Sequence, residues 1–152
     1  VPAVIGTSGL TKDQIKKLEL KASDKKSGMI IAPNFALGAI LMMKFSKVAK
    51  DFFPSVEIVE GHHPQKKDIP SGTARMTADL IGKDVKIHSR RQPGLIAEQA
   101  VYFGGFGESL TIKHATTDRS CFMPGIVFAV KKVLQIQSLI IGLEPLIDGE
   151  NV

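Results

Sequence analysis

Apolar residues fall in short runs separated by polar, Gly-bearing or Pro-bearing turns, and the runs alternate between two spacings. Ala3-Val4-Ile5 and Met29-Ile30-Ile31-Ala32 are continuous apolar runs of the length that buried strands need. Between them, Thr11 with Gln14 three residues on reads as an N-cap and capping box, opening a helix to about Ala22. Strand, helix and strand at this spacing predict a parallel βαβ unit. After Pro33-Asn34, apolar residues at Leu37, Ile40, Leu41, Phe45, Val48 and Phe52 keep helical spacing. The stretch 35–43 is apolar on all sides, which predicts deep burial. Pro54 ends that helix.

The next segments switch period. Val56 to Glu60 alternates as Val-Glu-Ile-Val-Glu, a strand that runs straight into His62-His63. Ser71 as N-cap and Gly82 as stop bracket a helix of about three turns. Val85–His88 and Glu98–Phe103 read as strands, and Gly104-Gly105-Phe106-Gly107 joins the second to Ser109–His114 in a hairpin. Pro124 suits the first turn of a last helix with Ile126, Val127, Val130, Val133 and Leu134 on its inner side. The tail from Ser138 is apolar and then acidic, and its pattern assigns no element. The fold class is α/β: a βαβ unit followed by a mixed sheet covered by helices.

Composition narrows the partners. The 152 residues carry a net charge of +5, which fits a soluble basic surface, a small anionic substrate or nucleic acid. With one Tyr and no Trp, no basic stretch is interleaved with stacking rings, which argues against a nucleic-acid surface. A single cysteine, Cys121, rules out an intrachain disulfide. No secretory signal and no apolar run of about 18 residues is present, so a cytoplasmic protein without a membrane partner is expected. The chain opens Val1-Pro2-Ala3, without Met and already inside a strand pattern, so a piece of a longer protein is expected.

Candidate chemistry concentrates in residues 60–73, Glu-Gly-His-His-Pro-Gln-Lys-Lys-Asp-Ile-Pro-Ser-Gly-Thr. On an extended strand His62 and His63 point to opposite sides, so both reach one ligand only where the strand ends, at Pro64. An imidazole titrates near neutral pH and suits proton delivery. For an isolated His-His pair, a buried, hydrogen-bonded ring beside a solvated one is the commoner arrangement. With Ser71 as N-cap, the N–H groups of Gly72 and Thr73 lie unpaired in the first helical turn, where they and the helix dipole favour an anion. A carboxylate there would meet a lysine, Lys66 or Lys67, and a second carboxylate would meet His63; the plain alternative is a capped helix after a basic loop. No metal is expected, because no His-Glu-x-x-His or Cys-x-x-Cys occurs and His88 and His114 lack acidic companions at ligand spacing. Gly6-Thr7-Ser8-Gly9 follows a strand and precedes a helix, where α/β sheets bind nucleotides, although many such turns look alike. Arg119 either binds an anion or pairs with a neighbouring acid, and Cys121 has no evident activating base.

Glu60 to Ala74 matches the signature E-x-H-H-x-x-K-x-D-x-P-S-G-T-A, and Gly6–Gly9, Ala32-Pro33-Asn34-Phe35 and His114-Ala115-x-x-x-Arg119-x-x-Phe122-x-x-Gly125 add to it. Over nearly its whole length the chain resembles the dihydrodipicolinate reductase (4-hydroxy-tetrahydrodipicolinate reductase) family of lysine and diaminopimelate biosynthesis. The resemblance implies that NADH or NADPH gives a hydride to a cyclic dicarboxylate, yielding tetrahydrodipicolinate. It implies His62 as general acid/base and Lys66 as proton donor, with His63, Lys66, Gly72 and Thr73 on the substrate carboxylates. Gly6, Thr7, Ser8, Ala32, Pro33, Asn34 and Phe35 would line the cofactor side. It implies homotetramers joined through the sheet of the substrate domain. The domains it implies are 1–34, the remnant of a Rossmann-type cofactor domain; 35–118, for substrate binding and assembly; and 119–152, returning to the cofactor domain.

The family's G-x-x-G-x-x-G pyrophosphate loop does not occur in this sequence, so this chain alone is expected to hold the cofactor poorly and to be nearly inactive. Ala97-Glu98-Gln99 also departs from the Gly-Glu-His of many relatives. The alternative function is a non-catalytic module for dicarboxylate binding and tetramerisation.

Overall fold

A computed structural model describes residues 1–7, 9–82 and 84–147. The elements are β1 (Ala3–Ile5), α1 (Lys12–Asp24), β2 (Met29–Ile31), α2 (Leu37–Ala49), β3 (Ser55–His62), α3 (Gly72–Ile81), β4 (Lys86–Arg91), β5 (Ala97–Gly105), β6 (Glu108–Thr116), α4 (Met123–Val133), β7 (Leu139–Ile141) and α5 (Glu144–Ile147), with a 3-10 turn over Arg119–Phe122. They sort into two units, Val1–Ile40 with Ser120–Val152, and Leu41–Arg119.

The first unit is a parallel three-stranded sheet in the order β1-β2-β7. The capping box at Thr11 forms as its sequence predicts: Thr11 Oγ1 accepts the Gln14 N–H at 3.3 Å and Gln14 Oε1 accepts the Thr11 N–H at 2.8 Å. Ile30, Ile40, Ala129, Val133, Ile140 and Leu143 make the core. Two sequence expectations need correction here. The apolar part of the tail, to which the sequence pattern assigned no element, forms β7 and α5. The inner side of α4 is Gly125, Ala129 and Val133, whereas Val127, Val130 and Leu134 are exposed. A Cβ on Gly125 would stand 2.0 Å from the Phe35 carbonyl oxygen, so small residues set how near this helix lies and the larger ones turn away.

The second unit is a four-stranded mixed sheet in the order β4-β3-β5-β6. Its core holds Met42, Met43, Val56, Ile58, Ala74, Ile81, Val101 and Phe103. Burying each of the larger side chains is worth about 1.5–3 kcal/mol. The carboxyl half of α2 buries Met42, Met43, Ser46 and Ala49 and leaves Phe45 and Val48 exposed, as is Phe52 just beyond it. The Ser46 hydroxyl donates to the Met42 carbonyl at 2.7 Å and can therefore be buried. Helix α3 runs as its caps predict, and its C-cap Gly82 takes φ 69, the left-handed turn that favours glycine.

Cross-strand register explains where the site lies. One face of the sheet reads, row by row, Ile87–Ile58–Val101–Ile112, then Ser89–Glu60–Gln99–His114, then Arg91–His62–Ala97–Thr116. The face is apolar under the body of the unit and turns polar over its last two rows. On the opposite face His88 pairs with Glu57 at 2.8 Å, and Glu98 pairs with Arg90 at 3.2 Å and Lys113 at 3.1 Å.

Candidate functional site

Glu60 and His62 lie two residues apart on β3, so the pleat sends both side chains to the same face. His62 is the last residue of the strand, and Arg91, the last of β4, stands directly opposite it. Glu60 is completely buried. A buried carboxylate is stable only if its lone pairs are used, and here they are. Arg91 Nη1 and Nη2 donate to Oε2 and Oε1, both at 3.0 Å, in a bidentate fork. His62 Nδ1 lies 2.5 Å from Oε2, and the Ser71 N–H donates to Oε1 at 3.3 Å.

Burial pushes the Glu60 carboxyl up, but hydrogen bonds from Arg91, Ser89 and His62 outweigh it and leave the group below its usual range. Burial also holds the His62 imidazole below its ordinary value; Glu60 opposes this and the Lys66 and Arg91 charges add to it. At neutral pH the pair is therefore a carboxylate and a neutral ring. Nδ1 carries the proton toward Glu60, and Nε2 keeps the lone pair.

Beyond His62 the chain turns, with the Lys66 N–H donating to the His63 carbonyl at 3.1 Å. His63 leaves the ladder, and its Nδ1 lies 3.2 Å from Gln65 Oε1. The Lys66 ammonium meets Asp68 Oδ1 at 2.8 Å. Asp68 is held below the usual carboxylate range, first by that lysine, against a weaker effect of burial, with help from its own N–H and that of Gly72. So two of the donors expected to receive a ligand carboxylate, the Lys66 ammonium and the Gly72 N–H, converge on Asp68.

At the start of α3, Ser71 Oγ accepts the Ala74 N–H at 3.2 Å. A Cβ on Gly72 would meet no atom within 4 Å, so the space before the helix is open. The Thr73 carbonyl accepts the Thr77 hydroxyl at 2.8 Å, and Thr77 in turn accepts the buried Gln99 amide at 2.8 Å. The departure at Gln99 thus serves to brace the underside of α3.

In the first unit, Gly6, Thr7 and the 32–35 segment leave the carboxyl ends of adjacent parallel strands, with the Ala32 N–H on the Ile5 carbonyl at 2.9 Å. A Cβ on Gly6 would stand 2.9 Å from the Phe35 ring, so glycine lets that ring lie against the strand end. Thr7 Oγ1 accepts the Gly9 N–H at 3.1 Å and Asn34 Oδ1 the Ala36 N–H at 2.9 Å. Ala32 is buried and Pro33 exposed, while Ser8 lies outside the described residues. Among the described residues no group of three or more His, Cys, Asp or Glu is placed to hold a metal ion, and no helix is long and apolar enough to cross a membrane.

Comparison with known proteins decides the family. A model of the dihydrodipicolinate reductase C-terminus matches residues 38–147. The chain belongs to the dihydrodipicolinate reductase family. It is 49% identical over 164 aligned residues to the 4-hydroxy-tetrahydrodipicolinate reductase of Coxiella burnetii (strain Dugway 5J108-111), covering 95% of this chain and 69% of that protein. The namesake from Syntrophomonas wolfei is 47% identical, with 95% and 64% covered. The fold is similar to that of a dipicolinate-bound dihydrodipicolinate reductase from Paenisporosarcina sp. TG-14, with TM-score 0.85, 43% identity, and 93% of this chain and 63% of that one covered. The chain thus spans roughly two thirds of the length of these reductases.

In this reductase-family chain, the expected site residues of the second unit fall on one strand end, one turn and one helix start. Sequence reading assigned no role to two residues of that network. Glu60 stood in the signature and precedes His62 by one strand period. Arg91 was not singled out, because its place opposite His62 depends on the parallel register of β3 and β4.

Proposed function

We propose that this chain supplies the substrate-receiving part of a 4-hydroxy-tetrahydrodipicolinate reductase of lysine and diaminopimelate biosynthesis. The observation that carries this reading is the gathering of a neutral imidazole, a lysine ammonium and an open helix N-terminus within residues 62–73. One carboxylate of a cyclic dicarboxylate would take the Lys66 ammonium and the N–H groups of Gly72 and Thr73, displacing Asp68, and the other would meet His63. Lys66 would deliver the proton that the substrate gains with the hydride, and His62, with its lone pair on Nε2, would serve as general acid/base.

NADH or NADPH, when bound, supplies the hydride. Gly6, Thr7 and residues 32–35 would hold its reactive end; the Phe35 ring against Gly6 offers a flat apolar surface that suits a nicotinamide. This sequence has no pyrophosphate loop, so tight cofactor binding would need residues beyond these. The reading includes residence in the cytoplasm and a homotetramer joined through the second unit's sheet.

The test is titration of the chain with dipicolinate. Lys66→Ala should weaken binding about 10-fold or more, the scale of a charged hydrogen bond. Asp68→Asn should tighten it, because one competing carboxylate is gone. In a complete reductase carrying this sequence, His62→Ala should lower kcat about 10²–10⁴-fold. Binding that ignores both charge changes, or a wild-type rate without His62, would refute the assignment.

A further inference from the structure

We propose that Glu60 and Arg91 are positioning residues for this reaction: the carboxylate fixes the tautomer of the His62 ring, and the guanidinium fixes the backbone that carries Lys66. The proposal rests on the roles given above to His62 and Lys66.

Arg91 alone would satisfy the charge of Glu60, and the Ser71 N–H takes a further lone pair. The short contact to His62 Nδ1 is an additional use of the same carboxylate. A carboxylate only accepts hydrogen bonds, so a ring facing it presents N–H, and with Nδ1 protonated a neutral ring has its lone pair on Nε2. The pleat and the buried fork leave Glu60 no latitude, so the ring is held in one orientation. Arg91 then reaches the other way. Its Nε donates to the Lys66 carbonyl at 3.3 Å and its Nη2 to the Asp68 carbonyl at 2.7 Å. One guanidinium therefore ties the support of the imidazole to the loop that carries the ammonium, across 25 residues of sequence. Acid–base groups gain their effect from such placement.

Glu60→Gln separates this from a purely structural role. Its amide oxygen takes the Oε1 position, where two obligate donors, Arg91 Nη2 and the Ser71 N–H, converge, so its NH₂ takes the Oε2 position beside His62 Nδ1. That nitrogen must then accept, and the proton moves to Nε2. In spectra of the ¹⁵N-labelled chain, wild-type His62 should show a protonated Nδ1 and an unprotonated Nε2, and the two signals should exchange identities in Glu60→Gln. In a complete reductase the variant should lose kcat by about 10²-fold with little change in KM, as expected for a misplaced acid–base group. Arg91→Lys keeps a charge beside Glu60 but loses the fork; its His62 tautomer should stay, and its dipicolinate affinity should fall several-fold.

A protonated Nε2 in the wild type overturns the proposal without any variant, and so does an unchanged tautomer in folded Glu60→Gln. Unchanged affinity in Arg91→Lys overturns the lysine-loop half. Failure of the wild-type chain to bind dipicolinate would refute the functional reading instead, and leaves the tautomer measurement standing as a separate result.

Discussion

The loop after β3 and the loops after β1 and β2 occupy the same kind of place, the carboxyl end of a strand, and are built in opposite ways. At the end of β3 a side chain reaches far along the sequence: Glu60 bonds Ser71 and Arg91, 11 and 31 residues away. After β1 and β2 they turn back on their own backbone, Thr7 to Gly9 and Asn34 to Ala36, each two residues on. The first arrangement fixes charges in advance, which suits a small anionic substrate and proton transfer. The second leaves only backbone and a ring to offer, which suits a flat ligand whose main anchor lies elsewhere. A long-range network should fail as a unit when one member is removed, while a local turn should fail alone.

The largest expected effect comes from Arg91→Ala. It leaves Glu60 buried without its principal partner, which typically costs about 3–5 kcal/mol. The pH dependence carries the sign. In the wild type the folded Glu60 carboxyl lies below its ordinary value, so its stabilisation is present above the unfolded carboxyl range and is lost as pH falls through the folded value. The lowered His62 and His114 rings add an earlier loss, beginning as pH drops below about 6.5, where the unfolded chain takes up protons first. In Arg91→Ala, burial raises the Glu60 carboxyl unopposed by the fork, so the deficit should shrink as acid neutralises it. Urea melts from pH 7 to pH 4 would measure this; a deficit that does not change with pH would mean that Glu60 is not a buried charge.

Local signals made the network half legible. Ser71, Gly82, Thr11 and Gln14 are read directly, because a cap acts within four residues of itself. Glu60 and His62 share a face by strand period alone. Arg91 and Gln99 were out of reach, since their positions follow from which strand pairs with which and in what register. β7 went unassigned as well, and its place in the fold is set by pairing beside β2. On α4, steric closeness to Phe35 decided which side faces in, and hydrophobicity counted the wrong residues. The loops after β1 and β2 carry no pattern of their own beyond glycine at a strand end, so only the resemblance singled them out.

Gly72→Ala sharpens the contrast from the ligand side. The new methyl meets nothing within 4 Å, so the empty chain should tolerate it and gain about 0.4–1 kcal/mol from a less flexible unfolded state. The same methyl occupies the space that a carboxylate needs before the helix. Dipicolinate affinity should therefore fall about 10-fold, or 1.4 kcal/mol, while the melting temperature holds or rises. Stability and binding moving in opposite directions is the signature of a site; both falling together would mark Gly72 as a packing requirement.

Asn34→Ala carries the smallest effect and tests the other loop. Its Oδ1 is the acceptor for the Ala36 N–H at the entrance to α2, and Ala36 is buried, so water cannot easily replace it. The loss should be near the usual worth of one such bond, about 1 kcal/mol. It should show no sensitivity between pH 4 and pH 7 beyond that of the wild type, because no charge is involved. Dipicolinate affinity should stay at the wild-type value, since the Asn34 side chain hydrogen-bonds its own turn. If affinity fell with the stability, the turn after β2 would belong to the substrate network after all, and the division between a charged, long-range loop and self-contained turns would have to be abandoned.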